Sequence, residues 1–413
     1  MLPDESSRCC IVGGGPAGMM LGFLLARAGI DVVVLEKHKD FLRDFRGDTI
    51  HPSTLELMHE LGLLDDFLQQ PHQEERMLSV DIGGTEIPVA DFSHLPTKCK
   101  FIAFMPQWDF LNFLAAHARC FPSFQLKMEH EVVDLLFDQN DCVIGVKVKT
   151  PVREYELGAD FVVGTDGRDA TTRERAGLRV IDLGAPMDVL WMRVRKGPGA
   201  ASHLPLGHIT AGNLFFTIDR GDYWQCGFVV PKGSADAVKA RGLLALREEM
   251  VRMVPAMRAH IDELDTWEKI KLLTVVVDRL ARWHRPGLLC LGDAAHAMSP
   301  IGGVGINLAI QDAVAAANLL ARPLANTSHE ITRHDLAAVQ HRRELPTKII
   351  QGAQVFLQNR VVRAVLGKQA TAKISVPWQI RLLARWPRLR RIPARLIGLG
   401  FRPEHIRSPP RPA

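Results

Sequence analysis

Ile11-Val12-Gly13-Gly14-Gly15-Pro16-Ala17-Gly18 decides the fold of this chain, together with Glu36 at the end of the apolar run Val32-Val33-Val34-Leu35. An apolar strand (Cys9 to Val12) enters a glycine turn, a helix (Pro16 to Ala28) leaves it, and a second strand ends in an acid. This is the pattern of a dinucleotide-binding βαβ unit. Gly13 suits the tight turn, Gly15 lets the backbone approach a pyrophosphate, and Gly18 lets the helix lie close against the sheet. Phosphates would then sit at a helix N-terminus beside Pro16 and Ala17, where unpaired N–H groups and the positive dipole end meet them. Glu36, followed by Lys37, lies at the spacing of a carboxylate that accepts ribose hydroxyls. A carboxylate there repels a 2′-phosphate, so the site should hold FAD or NAD rather than NADP.

Working outward, the 413 residues suffice for two domains, and no uncharged apolar run reaches the length of a membrane span. No cationic segment precedes an apolar one at the start, so no secretory signal is expected. Seven scattered cysteines without metal-ligand spacing read as reduced thiols of a cytoplasmic protein, and no metal site is expected. The net charge of +5 is uneven: ten Lys or Arg residues and one acid, Glu404, fall between Thr371 and Ala413. Such a tail can meet nucleic acid or an anionic lipid surface. The interleaved Trp378, Leu382, Trp386, Ile392 and Leu396 favour instead short helices packed on the body with a solvated face. A weak membrane-surface contact is retained as an expectation and nucleic acid is set aside; monomer and homodimer stay open.

Hydrophobic periodicity predicts helices over Ser53 to Gln69, Gln107 to Arg119, Ser234 to Met253, Pro255 to Leu264, Val304 to Leu320 and Ile331 to Val362, the last bending at Pro346. Strand-turn-strand pairs are expected at Glu131 to Asp138 with Cys142 to Thr150, and at Glu154 to Leu157 with Phe161 to Val163. Between 180 and 232, short alternating runs predict an antiparallel sheet with one face covered.

Two remote segments add specificity. Asp160-Phe161-Val162-Val163-Gly164-Thr165-Asp166-Gly167 is an apolar strand ending in an Asp-Gly turn, with Arg173 beyond it. Leu291-Gly292-Asp293-Ala294-Ala295-His296 is another, continuing through Pro300, Gly302, Gly303, Gly305, Ile306 and Asn307 into a helix. Asp293 can accept hydrogen bonds from a ribityl chain, and the glycine-rich N–H groups can face a pyrophosphate and the carbonyl edge of a flavin. Asn307 can bond the pyrimidine carbonyls or cap its own turn. Arg46 carries five donors that match phosphate oxygens, with a surface salt bridge as the alternative.

These segments, in this order, resemble the fingerprints of the FAD-dependent aromatic hydroxylases, the single-component flavoprotein monooxygenases typified by para-hydroxybenzoate hydroxylase. The resemblance runs from the first residues to about Ala321. It implies a Rossmann-like FAD-binding domain in three parts (1–75, 105–178, 285–325), an antiparallel-sheet substrate domain inserted in two (76–104, 179–284) and a helical C-terminal region with the basic tail (326–413). Within it Asp166-Gly167 is similar to the second fingerprint, Gly292-Asp293 to the third, Arg46 to an arginine near the pyrophosphate, Gln107 to a flavin-contacting glutamine and Pro300 to a residue at the flavin edge. The implied reaction uses NAD(P)H and O₂ to hydroxylate an aromatic or polycyclic substrate through a C4a-hydroperoxyflavin in a dry cavity. No second glycine-rich NADPH fingerprint is present, as in those hydroxylases. Candidates for the cavity roof are His208, Phe215, Phe216, Tyr223, Trp224 and Gln225, with Tyr223 and Gln225 on the face opposite Trp224. His296 is a candidate to tune the flavin or act as a base, against a structural hydrogen bond. Two features depart from the family: Ala170 replaces a serine, and only Tyr155 and Tyr223 are available for a phenol-ionising network. The rival reading is a same-fold flavin reductase or oxidase acting on a lipid-like or quinone-precursor substrate without oxygen insertion.

Overall fold

The computed structural model describes residues 4–42, 49–197, 204–367, 376 and 378–410. Arg46, expected near the pyrophosphate, lies outside the described residues. The first strand, Glu5–Val12, is central in a largely parallel sheet, between Val32–Glu36 and Glu154–Gly164. Phe124–Met128 continues the sheet on one side; Leu288–Cys290 and His284–Arg285 continue it on the other. Residues such as Cys10, Val34 and Val162 are buried on both faces of the sheet, and the strands therefore read as unbroken apolar runs. Register does the work of assembly. Val12 pairs with Leu35 and Gly164, and Gly164 with Cys290, so Gly13, Glu36, Thr165 and Leu291 emerge together at the carboxyl edge. That edge is where an open α/β sheet binds its ligand.

Several elements differ from the sequence expectation. Glu154 to Val163 is one continuous strand, because Gly158-Ala159-Asp160 lets the chain pair antiparallel with Val143–Lys149 and parallel with Glu5–Val12. Gly62 (φ 72°) divides the helix expected from Ser53 into Pro52–Glu60 and Leu64–Leu68. Gly242 (φ 89°) likewise divides Ala235–Ala240 from Leu243–Met253, and Pro255 to Glu263 forms tight 3₁₀ turns. The helix Gly305–Ala325, with the turn before it, is long and apolar enough to cross a membrane, yet it is largely buried as a core helix.

The second sheet runs Lys271–Leu273, Met187–Arg195, Tyr223–Pro231, Asn213–Asp219, Gly207–Thr210, Met77–Ile82, Thr85–Asp91. Both of its faces are covered, not one. Met192, Phe215, Trp224, Cys226 and Phe228 pack beneath the helices of residues 235–253. Val189, Trp191, Phe216, Ile218 and Val229 belong to a cluster shared with Phe104 and with Ile301 of the first domain's glycine-rich loop. The helix Arg333–Leu357, started by a Thr332/Asp335 capping box and extended by a π turn, forms the third layer.

Gly18 is the tightest point between first helix and first turn: a Cβ there would stand 2.0 Å from Gly13 O and 2.6 Å from Thr165 Oγ1. Gly18→Ala should therefore lower stability by about 1–3 kcal/mol, read as a reduced urea midpoint.

Candidate functional site

The first glycine turn builds a cradle. Gly13 has φ 103°, and a Cβ on it would lie 2.6 Å from Thr165 O, so only glycine fits between turn and neighbouring strand. Gly15 is different: its φ of −73° suits any residue, and a Cβ would meet nothing within 4 Å. It precedes the helix Pro16–Arg27, which has no side-chain cap and no acid in its first turn. The N–H groups of Ala17 and Gly18 have no intrahelical acceptors, so the positive helix end faces open space of the kind an anion fills. Glu36 is buried and accepts from Gly14 N (3.0 Å) and His38 N (3.1 Å), bracing the turn from the next strand; Lys37 beside it is exposed.

The second motif is partly structural. Asp166 accepts from Thr172 N (2.9 Å) and Thr172 Oγ1 (2.6 Å), capping the short helix Thr171–Arg175. Burial raises its pKa, and these bonds offset the rise only in part. Gly167 (φ 87°) turns the chain beside open space. Arg173 is committed elsewhere, making paired 3.1 Å bonds to Asp278. Arg168 stands 3.7 Å from Asp293, linking the second motif to the third.

At the third motif Gly292 (φ 57°) is the crossing point of two helices, with a Cβ there 3.0 Å from Ala309 Cβ and 3.4 Å from Ala17 Cβ. Asp293 is partly exposed beside it. His296 points the other way: it is buried, its Nε2 is 2.5 Å from Asp312 Oδ2, and its ring lies 4.9 Å from Trp283. Asp312 also accepts from Gly292 N (3.3 Å) and Arg343 Nε (2.9 Å), while Arg343 stands 3.5 Å from Glu404. Burial pushes the Asp312 pKa up, but His296 and Arg343 more than offset this and hold it below 3.8. His296 is thus a buried brace of the motif, with no solvent-facing edge for a base.

The loop that follows is clamped from behind. Gln351 Nε2 donates to Ala297 O (3.0 Å), and Gln354 Nε2 to Ser299 O and Ile301 O (both 2.8 Å). Pro300 begins the turn, Gly302 and Gly303 adopt φ 79° and 61°, and Thr49 Oγ1 donates to Gly303 O at 2.9 Å. Gly305 and the half-buried Ile306 open a helix that again lacks a side-chain cap and an early acid. Asn307 anchors the segment before the second helix: its Oδ1 accepts from His51 N (3.0 Å) and Thr54 Oγ1 (2.7 Å), and its Nδ2 donates to Thr49 O (3.4 Å). Gln107 starts the helix Gln107–Ala118 and is half-buried.

The second sheet presents an aromatic row over this loop. Trp191, Gly227 and Phe216 are in register across three strands. A Cβ on Gly227 would stand 2.1 Å from the Phe216 ring, so the glycine lets Phe216 lie across the sheet, edge-on to Trp191 at 4.9 Å. On the same face Arg193 lies over Tyr223 (5.3 Å) and Trp108 (5.9 Å), and Gln225 Nε2 donates to Met192 O. Tyr223 and Gln225 do lie opposite Trp224, but Trp224, Phe215 and His208 face away, under the helices. His208 bonds Thr217 Oγ1 at 3.1 Å, and burial lowers its pKa. Sequence reading missed Trp191, Arg193 and Trp108; the alternation of 189, 191 and 193 with Tyr223 and Gln225 carried that signal.

Fold and cradle define a nucleotide-binding α/β protein whose second sheet sets an aromatic row against the glycine-rich loop. Residues 6–353 match the family described as FAD binding domain, and the chain belongs to this family of FAD-dependent aromatic monooxygenases. It is 31% identical to 6-methylpretetramide 4-monooxygenase of Streptomyces rimosus, over 97% of this chain and 94% of that one. It is 26% identical to para-nitrophenol 4-monooxygenase of Pseudomonas sp. (strain WBC-3), over 76% and 78%. The crystal structure of p-nitrophenol 4-monooxygenase from Pseudomonas putida DLL-E4 shares the fold, with TM-score 0.76, 21% identity, and 94% and 97% of the two chains covered.

Gly15→Ala should leave the stability of the FAD-free protein unchanged and weaken FAD binding roughly ten- to hundredfold, measured by flavin fluorescence titration. Asp312→Asn removes the nearer counter-charge of the buried Arg343, leaving Glu404 at 3.5 Å, and should cost up to about 3–5 kcal/mol at neutral pH. Because the folded pKa of Asp312 is depressed, its stabilisation is complete above the ordinary value of 3.8 and is lost as pH falls through the lower folded value. The Asn variant should accordingly show a flatter acid limb in urea titrations.

Proposed function

We propose that this protein uses NAD(P)H and O₂ to hydroxylate an aromatic or polycyclic compound in the chamber between the aromatic row and the glycine loop. The observation that carries the reading is the Trp191–Gly227–Phe216 row, which shares one apolar cluster with Ile301 of that loop. When bound, FAD would supply the redox chemistry, passing two electrons from NAD(P)H to O₂ so that one oxygen atom enters the substrate and the other leaves as water. The chain's own residues position and seal. The open space at Gly15 and the uncapped helix ends would receive phosphates, and the partly exposed Asp293 would accept ribityl hydroxyls. Trp191 and Phe216 exclude water from the reacting face, which uncoupled reduction of O₂ would otherwise exploit. Arg193, held between Trp108 and Tyr223, offers the polar end of the chamber a cation for a phenolate or an enolate. The relatives named as acting on 6-methylpretetramide and para-nitrophenol support an aromatic substrate class.

The test is turnover with isotopically labelled O₂ across a panel of phenols and polycyclic phenols. Substrate-stimulated NAD(P)H oxidation with one labelled oxygen in the product is expected; oxidation or reduction of substrate with no label would overturn the reading. Phe216→Ala and Trp191→Ala should raise peroxide released per NAD(P)H severalfold. Trp224→Ala, on the far face, should lower stability and leave coupling unchanged.

A further inference from the structure

The C-terminal helices carry a surface that the flavin chemistry does not use. Between Val376 and Pro403 the sequence has seven arginines and no acidic residue. The helix Arg391–Gly398 is anchored inward: Ala394 is buried, and a Cβ on Gly398 would lie 2.7 Å from Leu95 and 3.2 Å from Phe92. Its Ile392 nevertheless points outward, 67% exposed. On the preceding helix, Trp378–Arg385, the outward positions are Trp378 (68% exposed) and Leu382, with Trp386 (64%) just beyond its end. Trp378 and Leu382 are i, i+4 neighbours on the helix, and Trp386 follows it in extended backbone with its N–H on Leu382 O (2.9 Å). Arg381, Arg385 and Arg388 are exposed beside these residues, and among the described residues none of the three is within 4 Å of a carboxylate. Arg390 fixes the geometry by donating to Leu383 O and Ala384 O (both 2.9 Å), the carbonyl end of the first helix. A folded chain gains nothing from holding two tryptophans and an isoleucine in water. Indole rings amid guanidinium groups match the boundary between phosphate headgroups and acyl chains.

We propose that this outward face docks on an anionic lipid bilayer, with Trp378, Trp386 and Ile392 entering the interface and Arg381, Arg385 and Arg388 meeting phosphates. Charge complementarity selects the occupant: an uninterrupted basic segment of this length attracts a negative leaflet, and a neutral one offers it no gain. Docking of this kind lies in the interface plane and needs no spanning helix. The inference is independent of the flavin reading, since none of these residues borders the cradle or the chamber.

The test is co-sedimentation of the full chain, loaded with FAD, with phosphatidylglycerol-containing vesicles and with pure phosphatidylcholine vesicles. Binding to the first only, reversed by high salt, is expected. The triple change Arg381→Glu, Arg385→Glu, Arg388→Glu should lower partitioning roughly a hundredfold. Trp378→Gln with Trp386→Gln should lower it while keeping the salt dependence. All the substituted side chains are exposed, so FAD retention and the melting midpoint should not move; the salt reversal of the unaltered protein tests the proposal without any variant. No binding to anionic vesicles, equal binding to neutral ones, or wild-type binding by both variants would overturn it. Retention on an acidic protein without vesicle binding would also overturn it, and would make the face a protein interface.

Discussion

The carboxylate of Asp312 holds together parts of the chain that are remote in sequence. It has no exposure to solvent, and Arg343 is 1% exposed. Removing two such charges from water costs several kcal/mol per ion, recovered only when geometry and additional donors are good. Here the donors are the turn at Gly292, the ring of His296 and the guanidinium of the third-layer helix. The flavin motif, the core helix and the C-terminal layer therefore share one counter-charge. Through Glu404, which also takes two bonds from Arg342 at 2.7 and 3.2 Å, the last described segment joins the same network.

The third layer does more than cover the core. Its glutamines donate to carbonyls of the loop between Ala297 and Ile301, where helix-ending or turning residues leave acceptors without partners. This allows Gly302 and Gly303 to keep left-handed backbone conformations while their segment stays fixed against Thr49. The same C-terminal region divides its labour. Asn318 accepts from Arg407 N and Ser408 N to fasten the end of the chain, while Trp378, Trp386 and Ile392 remain outward.

Glycine has two physical meanings around the candidate site. At Gly13, Gly18 and Gly292 a side chain would strike protein, so these residues permit packing. At Gly15 it would strike nothing, so the missing side chain leaves room for a ligand. Gly227 is a third case: the space is taken by the ring of Phe216, and the glycine creates an aromatic surface instead of a void.

The sequence by itself determined the nucleotide cradle, the three motif strands and the existence of a second sheet. Those signals are local: a turn needing φ above zero, a strand needing apolar side chains, and an acid at a fixed spacing depend on a few consecutive residues. Tertiary structure decided what each face of the second sheet packs against. Alternation along Tyr223–Pro231 separates Trp224 from Tyr223 and Gln225, but parity alone does not say which side looks inward, and it is Trp191 and Phe216 that do. His296 and Asn307 were legible as polar residues in the right motif; their partners, Asp312, His51 and Thr54, come from other helices and loops. A buried hydrogen bond is fixed by where the second group arrives in space, and no spacing within one segment encodes that arrival.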